Sequence, residues 1–165
     1  MKKMREVGLT VLLVLLLLGC GGGKGTETAG LGSLFPEKIG GWQRAKLITG
    51  AEALEKINQL HGKSIAAEAG AIGTYQKPGK RPAMVWISRS KTAAMAQNQA
   101  ELMADKMVGN PHSPFHDPQT LRVKKTRIYQ FMGMGQIHYI FCRDRLVYWI
   151  SAPLADRKKL LDGFL

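Results

Sequence analysis

The spacing of apolar residues changes several times along this chain, and each change marks an element. An apolar run from Val7 to Leu18 is broken only by Gly8 and Thr10. The stretch Gly21–Gly32, GGGKGTETAGLG, offers almost nothing to bury and reads as a flexible tether. Folded pattern starts near Leu34-Phe35-Pro36, and Trp42 after Gly40-Gly41 is the first large core candidate. Gln43–Ile48 suits a short strand. Leu54, Ile57 and Leu60 or His61 then recur at helical spacing, which predicts a helix over Ala51–His61. Thr49 and Glu52 have capping-box spacing at its start, and Gly62 stands where a left-handed cap belongs.

Ile65–Gln76 and Arg81–Arg89 flank Lys77-Pro78-Gly79-Lys80, a sequence suited to a type II turn. In the second strand Ala83, Val85 and Ile87 alternate with Met84, Trp86 and Ser88. The first is crowded with Ala and Gly, so something must approach it closely, most simply a helix. Ser90 is a cap candidate for a second helix over Lys91–Val108, whose Ala93, Ala96, Ala100, Met103 and Met107 form a flat face matched to that small-residue strand. Gly109–Thr120, with Pro111, Pro114 and Pro118, reads as a loop. Leu121–Met132 is one strand or two, because alternation slips at Lys124-Lys125. Gln136–Cys142 and Leu146–Ala152 make a last hairpin, and Pro153 opens a C-terminal helix. The expected fold is α+β: a single antiparallel sheet of about five or six strands, with two or three helices packed mainly on one face.

At 165 residues with 45% apolar composition, one folded domain is expected and wholesale disorder is not. Two cysteines exclude a disulfide scaffold and a four-thiolate zinc site. The balance of 24 Lys and Arg against 12 Asp and Glu gives a net charge of +12, which favours anionic partners.

The N-terminus supplies an address. Lys2, Lys3 and Arg5 precede the apolar run, which is shorter than the roughly 20 residues of a membrane-spanning helix. It ends at Leu17-Leu18-Gly19-Cys20. This sequence resembles the lipobox of bacterial lipoprotein precursors. The resemblance implies diacylglycerol on the Cys20 thiol and removal of residues 1–19. A lipidated, glycine-rich tether over 20–33 and a single globular domain over 34–165 would follow. Two or three acyl chains make a stable anchor. Gly21 stands where an Asp would retain a Gram-negative lipoprotein at the inner membrane, so the resemblance favours the outer membrane, facing the periplasm. The remainder resembles uncharacterised small envelope lipoproteins.

Candidate chemistry is sparse. His112, His116 and Asp117 could hold zinc or copper on a loop able to fold around the ion, or simply belong to a solvated, proline-stiffened connection. Met132, Met134 and His138 carry soft ligands suited to copper, although a methionine more often fills a core gap. His138 and Cys142 share a strand face but stand roughly 14 Å apart at ~3.4 Å per residue, too far for a nucleophile and its base. A partner such as His61 would have to arrive from elsewhere. No nucleophile elbow, phosphate loop, dinucleotide fingerprint or haem motif is present in the sequence. Basic residues gather at predicted turns, notably Arg122, Lys124, Lys125, Arg127, Arg143 and Arg145. The expectation is a lipid-anchored, non-catalytic binding or scaffolding domain with no cofactor. Anionic lipid head groups, cell-wall polymer or an envelope protein are its expected partners, and nucleic acid is not. The alternatives are a metal-handling lipoprotein and an envelope hydrolase.

Overall fold

The computed structural model describes residues 30–61 and 65–165. Leu17, Leu18, Gly19, Cys20, most of the expected tether and Gly62 lie outside the described residues. The chain forms β1 (Lys38–Ile39), β2 (Trp42–Thr49), α1 (Gly50–His61), β3 (Ala67–Gln76), β4 (Ala83–Ser90) and α2 (Ala93–Gly109). There follow β5 (Phe115–Val123), β6 (Thr126–Gly133), β7 (Gln136–Arg143), β8 (Leu146–Ala152), a 3-10 turn (Leu154–Asp156) and α3 (Arg157–Asp162). All eight strands join one antiparallel sheet in the order β1-β2-β3-β4-β8-β7-β6-β5. No helix of the described residues is long and apolar enough to cross a membrane.

This corrects the expectation of five or six strands with helices mainly on one face. Two things raise the count, and a third lengthens a strand. The two-residue β1 is too short to leave a periodic signal. Lys124-Lys125 is a two-residue turn with Lys124 at φ 53°, and Val123 pairs directly with Thr126, so the slip in alternation divides two strands. The third is β5, which begins at Phe115 inside the proline-rich stretch. It tolerates Pro118 because it is an edge strand, and its register shifts between His116 and Gln119 around Asp117, at φ 50°.

Helices cover both faces because both faces of the central strands are apolar. In β4, Ala83, Val85 and Ile87 point to one side and Met84 and Trp86 to the other. The first side holds the main core. A register row runs across it through Ala71, Ile87, Tyr148, Phe141, Ile128 and Leu121, continuing from Thr49. Phe141 and Tyr148 stack within it at 4.7 Å. Leu160, Leu161 and Phe164 at the C-terminus cover this side together with Leu31 and Phe35. Leu31, within the stretch whose composition reads as tether, is thus part of the packed core.

On the opposite side α1 lies over β3, where Ala53, Leu54 and Ile57 sit directly above Gly70. The face of α2 formed by Ala96, Ala100, Ala104 and Met107 packs on Phe131, Ile140 and Val147. The flat face of α2 is therefore matched to β6, β7 and β8 rather than to the small-residue β3, which receives α1 on one side and Phe35, above Gly73, on the other. The cap of α2 is Thr92, whose hydroxyl accepts from the Met95 amide at 3.1 Å, in place of Ser90. Ser90 is held in the sheet, its amide donating to the Arg145 carbonyl.

Candidate functional site

The β5–β6 and β7–β8 turns lie at the same end of the sheet, because β6 and β7 are antiparallel neighbours. Arg122 pairs in register with Arg127, and both point to the α2 side. Arg127 in turn neighbours Cys142 across the β6–β7 ladder. The result is a cleft of about 450 Å³ lined by Arg122, Lys125, Thr126, Arg127, Arg143, Asp144, Cys142 and Gln97. Four cations thus face one carboxylate.

The cations are not equivalent. Arg127 pairs with Glu101 of α2 at 3.4 Å, and Arg143 donates to the Phe164 carbonyl at 2.9 Å. Arg122 and Lys125 have no ion-pair partner among the described residues and stand exposed. Lys124 caps the turn beside them without lining the cleft. Arg145 is drawn away, to Glu68 at 2.8 Å and the Ser90 carbonyl at 3.1 Å. Four of the six basic residues selected from the sequence therefore border the cleft: Arg122 and Arg127 from the α2 face, Lys125 from the turn, and Arg143 from β7, whose guanidinium reaches Phe164 on the other face.

Cys142 lies at the base of the cleft and donates its thiol hydrogen to Gln97 Oε1 at 2.9 Å. Burial pushes the thiol pKa up, and the nearby Glu101 charge adds to this. Both effects keep it protonated, the opposite of what an activated nucleophile needs. His138, on the same face of β7, is wholly engaged elsewhere.

That engagement went unrecognised in the sequence. His138 is 1% exposed. Its Nε2 meets the Gly133 carbonyl at 3.0 Å, while Nδ1 is 2.9 Å from Ser151 Oγ and receives the Trp149 indole N–H at 3.3 Å. An indole nitrogen only donates, so Nδ1 is the acceptor and Nε2 carries the hydrogen. Desolvation lowers the His138 pKa, and the bond to Gly133 only partly opposes this, so the ring is held neutral. Phe115 covers it edge-on at 4.9 Å. The Ser–His contact depends on the register His138↔Ser151, which single-strand patterns do not reveal. Neither residue lines the cleft.

The expected metal ligands do not assemble. His116 and Asp117 contact each other at 2.9 Å on the exposed β5 bulge, while the His112 amide is tied to Asn110. No group of three or more His, Cys, Asp or Glu that could hold a metal is found among the described residues. Met132 packs toward the main core, on the face away from His138, and Met134 is exposed in the β6–β7 turn.

No family model matches the chain. No curated protein matches it either. Among solved structures it is similar to a GTP binding regulator from Thermotoga maritima, at 7% identity over 79% of this chain and 78% of that one, with a TM-score of 0.45.

Proposed function

We propose that this protein is a lipid-anchored, non-catalytic module of the cell envelope that binds anionic surfaces through the basic cleft. The observation that carries the reading is the pair Arg122 and Lys125, two exposed cations with no ion-pair partner among the described residues, in a cleft lined by four basic residues at one end of the sheet. A second feature supports it. Gly32 packs beside Leu47 and Thr49, and Thr49 heads the register row that ends at Leu121, next to the β5–β6 turn. The chain therefore enters the fold at the same end of the sheet as the cleft. A membrane anchor at Cys20, on a tether reaching on the order of 20 Å, would bring that end to the lipid surface. Each basic side chain near such a surface contributes about 1 kcal/mol, an attraction weakened by salt.

The test uses the full chain carrying Cys20→Ala, so that acyl chains do not dominate partitioning. Sedimentation with phosphatidylglycerol vesicles should exceed that with phosphatidylcholine vesicles and fall steeply as salt rises. The double variant Arg122→Glu/Lys125→Glu should weaken association at least about tenfold, the equivalent of ~1.4 kcal/mol. Equal binding to both vesicle types, or an unaffected double variant, rejects the cleft as the binding site. Mass spectrometry of the unaltered protein from its native membrane should show acylation at Cys20, and an intact N-terminus without lipid rejects the anchor.

A further inference from the structure

Two helices share the α2 side of the sheet. α1 packs mainly on β2 and β3 and α2 mainly on β7 and β8, and both also touch β4. A groove of about 470 Å³ lies between the C-terminal end of α1, α2, the segment leading into β5 and Trp149 of β8, and it shares no lining residue with the basic cleft. Trp149 floors it, with Phe115 at one end. The walls are Leu60 from α1 and Leu102, Met103 and Met107 from α2. Leu60 and Leu102 are 46% and 47% exposed, so apolar surface faces water on both banks. Lys106 is the one Lys, Arg, Asp or Glu among the described lining residues, and it has no ion-pair partner among the described residues.

We infer that this groove binds a long-chain carboxylate, a free fatty acid, with the chain along the Trp149 floor and the carboxylate at Lys106. Size separates this occupant from a protein helix. An α-helix is about 10–12 Å across and advances 5.4 Å per turn, so the groove would take little more than one turn. A methylene fills roughly the volume of a water molecule, about 30 Å³, so the same space accepts on the order of a dozen methylenes. Met103 and Met107 can reshape around a flexible chain. A single cation with no acidic residue in the described lining selects a single negative head group by charge complementarity, and one chain's volume excludes a two-chain lipid.

The full chain with Cys20→Ala, which carries no acyl group of its own, is titrated with bromine-substituted tetradecanoate while tryptophan emission is followed. Saturable quenching is expected, most of it lost in Trp149→Phe, and unlabelled tetradecanoate should displace the probe. Lys106→Glu, on an exposed helix face, should weaken tetradecanoate at least tenfold and admit tetradecyltrimethylammonium, which the unaltered groove should refuse. Leu102→Gln, also exposed, should weaken binding without altering the far-ultraviolet circular dichroism. The cleft variant Arg122→Glu/Lys125→Glu should bind tetradecanoate normally. The inference is overturned by absence of quenching, by quenching that survives Trp149→Phe, by equal binding of anionic and cationic chains, or by loss of binding in the cleft variant.

Discussion

Gly73 is the position where adding one methyl group should be most informative. It lies in β3 between Leu47 and Val85, and a Cβ built there would stand 2.5 Å from Phe35 Cδ1, 2.9 Å from Cε1 and 3.2 Å from Tyr75 Cε2. Carbon atoms in comfortable contact are about 3.5–4.0 Å apart, so the Phe35 ring would have to retreat by roughly 1 Å. It has little freedom to do so. Phe35 is buried, meets Phe164 edge-on at 5.9 Å, and its carbonyl accepts from Arg44. The following residue, Pro36, accepts the Tyr75 hydroxyl at 2.9 Å. Overpacking of this kind costs about 1–3 kcal/mol, and the rigid surroundings favour the upper half of that range. Alanine recovers about 0.5–1 kcal/mol of chain entropy relative to glycine, which leaves a net loss of about 1–2 kcal/mol for Gly73→Ala. Urea unfolding of the full chain should show a lower midpoint with an unchanged slope. In a Phe35→Leu background the same substitution should cost less than about 0.5 kcal/mol, because the smaller, flexible side chain can yield. A neutral or stabilising Gly73→Ala, or an equal penalty in both backgrounds, would refute the claim that Phe35 is clamped against this strand.

Thr92→Ala removes the hydroxyl that caps the Met95 amide and should cost ~1 kcal/mol in urea unfolding, while Ser90→Ala should leave the start of α2 unaffected in amide exchange. His138 should make the fold sensitive to acid. Its folded-state pKa is depressed, so the unfolded chain binds the proton first as pH falls through about 6.5, and the native state loses stability below that pH. The loss should approach about 1.4 kcal/mol per pH unit until the native ring itself titrates, and it should be shallower in His138→Gln. Identical decline in the two proteins between pH 7 and pH 5 would show that carboxylates alone govern it.

What could be read from the sequence was local. Pro78-Gly79 turns as expected, with Gly79 at φ 69° and the Lys80 amide bonded to the Lys77 carbonyl at 3.1 Å. The alternation in β4 correctly separates Val85 and Ile87 from Met84 and Trp86, because a strand has only two sides. What depends on partners was illegible. The glycines of β3 show that something comes close, but not that α1 takes one side and Phe35 the other. The basic residues mark the turns, but not that Arg122, Lys125, Arg127 and Arg143 border one cleft while Arg145 turns to Glu68. The His138 network joins three strands, and the apolar groove is assembled from two helices, the segment before β5 and Trp149 of β8.

The bulge in β5 bears on how the molecule keeps to itself. An open sheet invites a neighbouring chain to add its own backbone along an unpaired margin. Here one margin ends in a two-residue strand, and along the other Pro118 lacks an N–H to offer while Asp117 bends the backbone away from extension. A proline that looks like loop punctuation in the sequence thus defends a long β-rich surface against fibril-like growth. That protection would matter most where many copies were crowded on a two-dimensional surface.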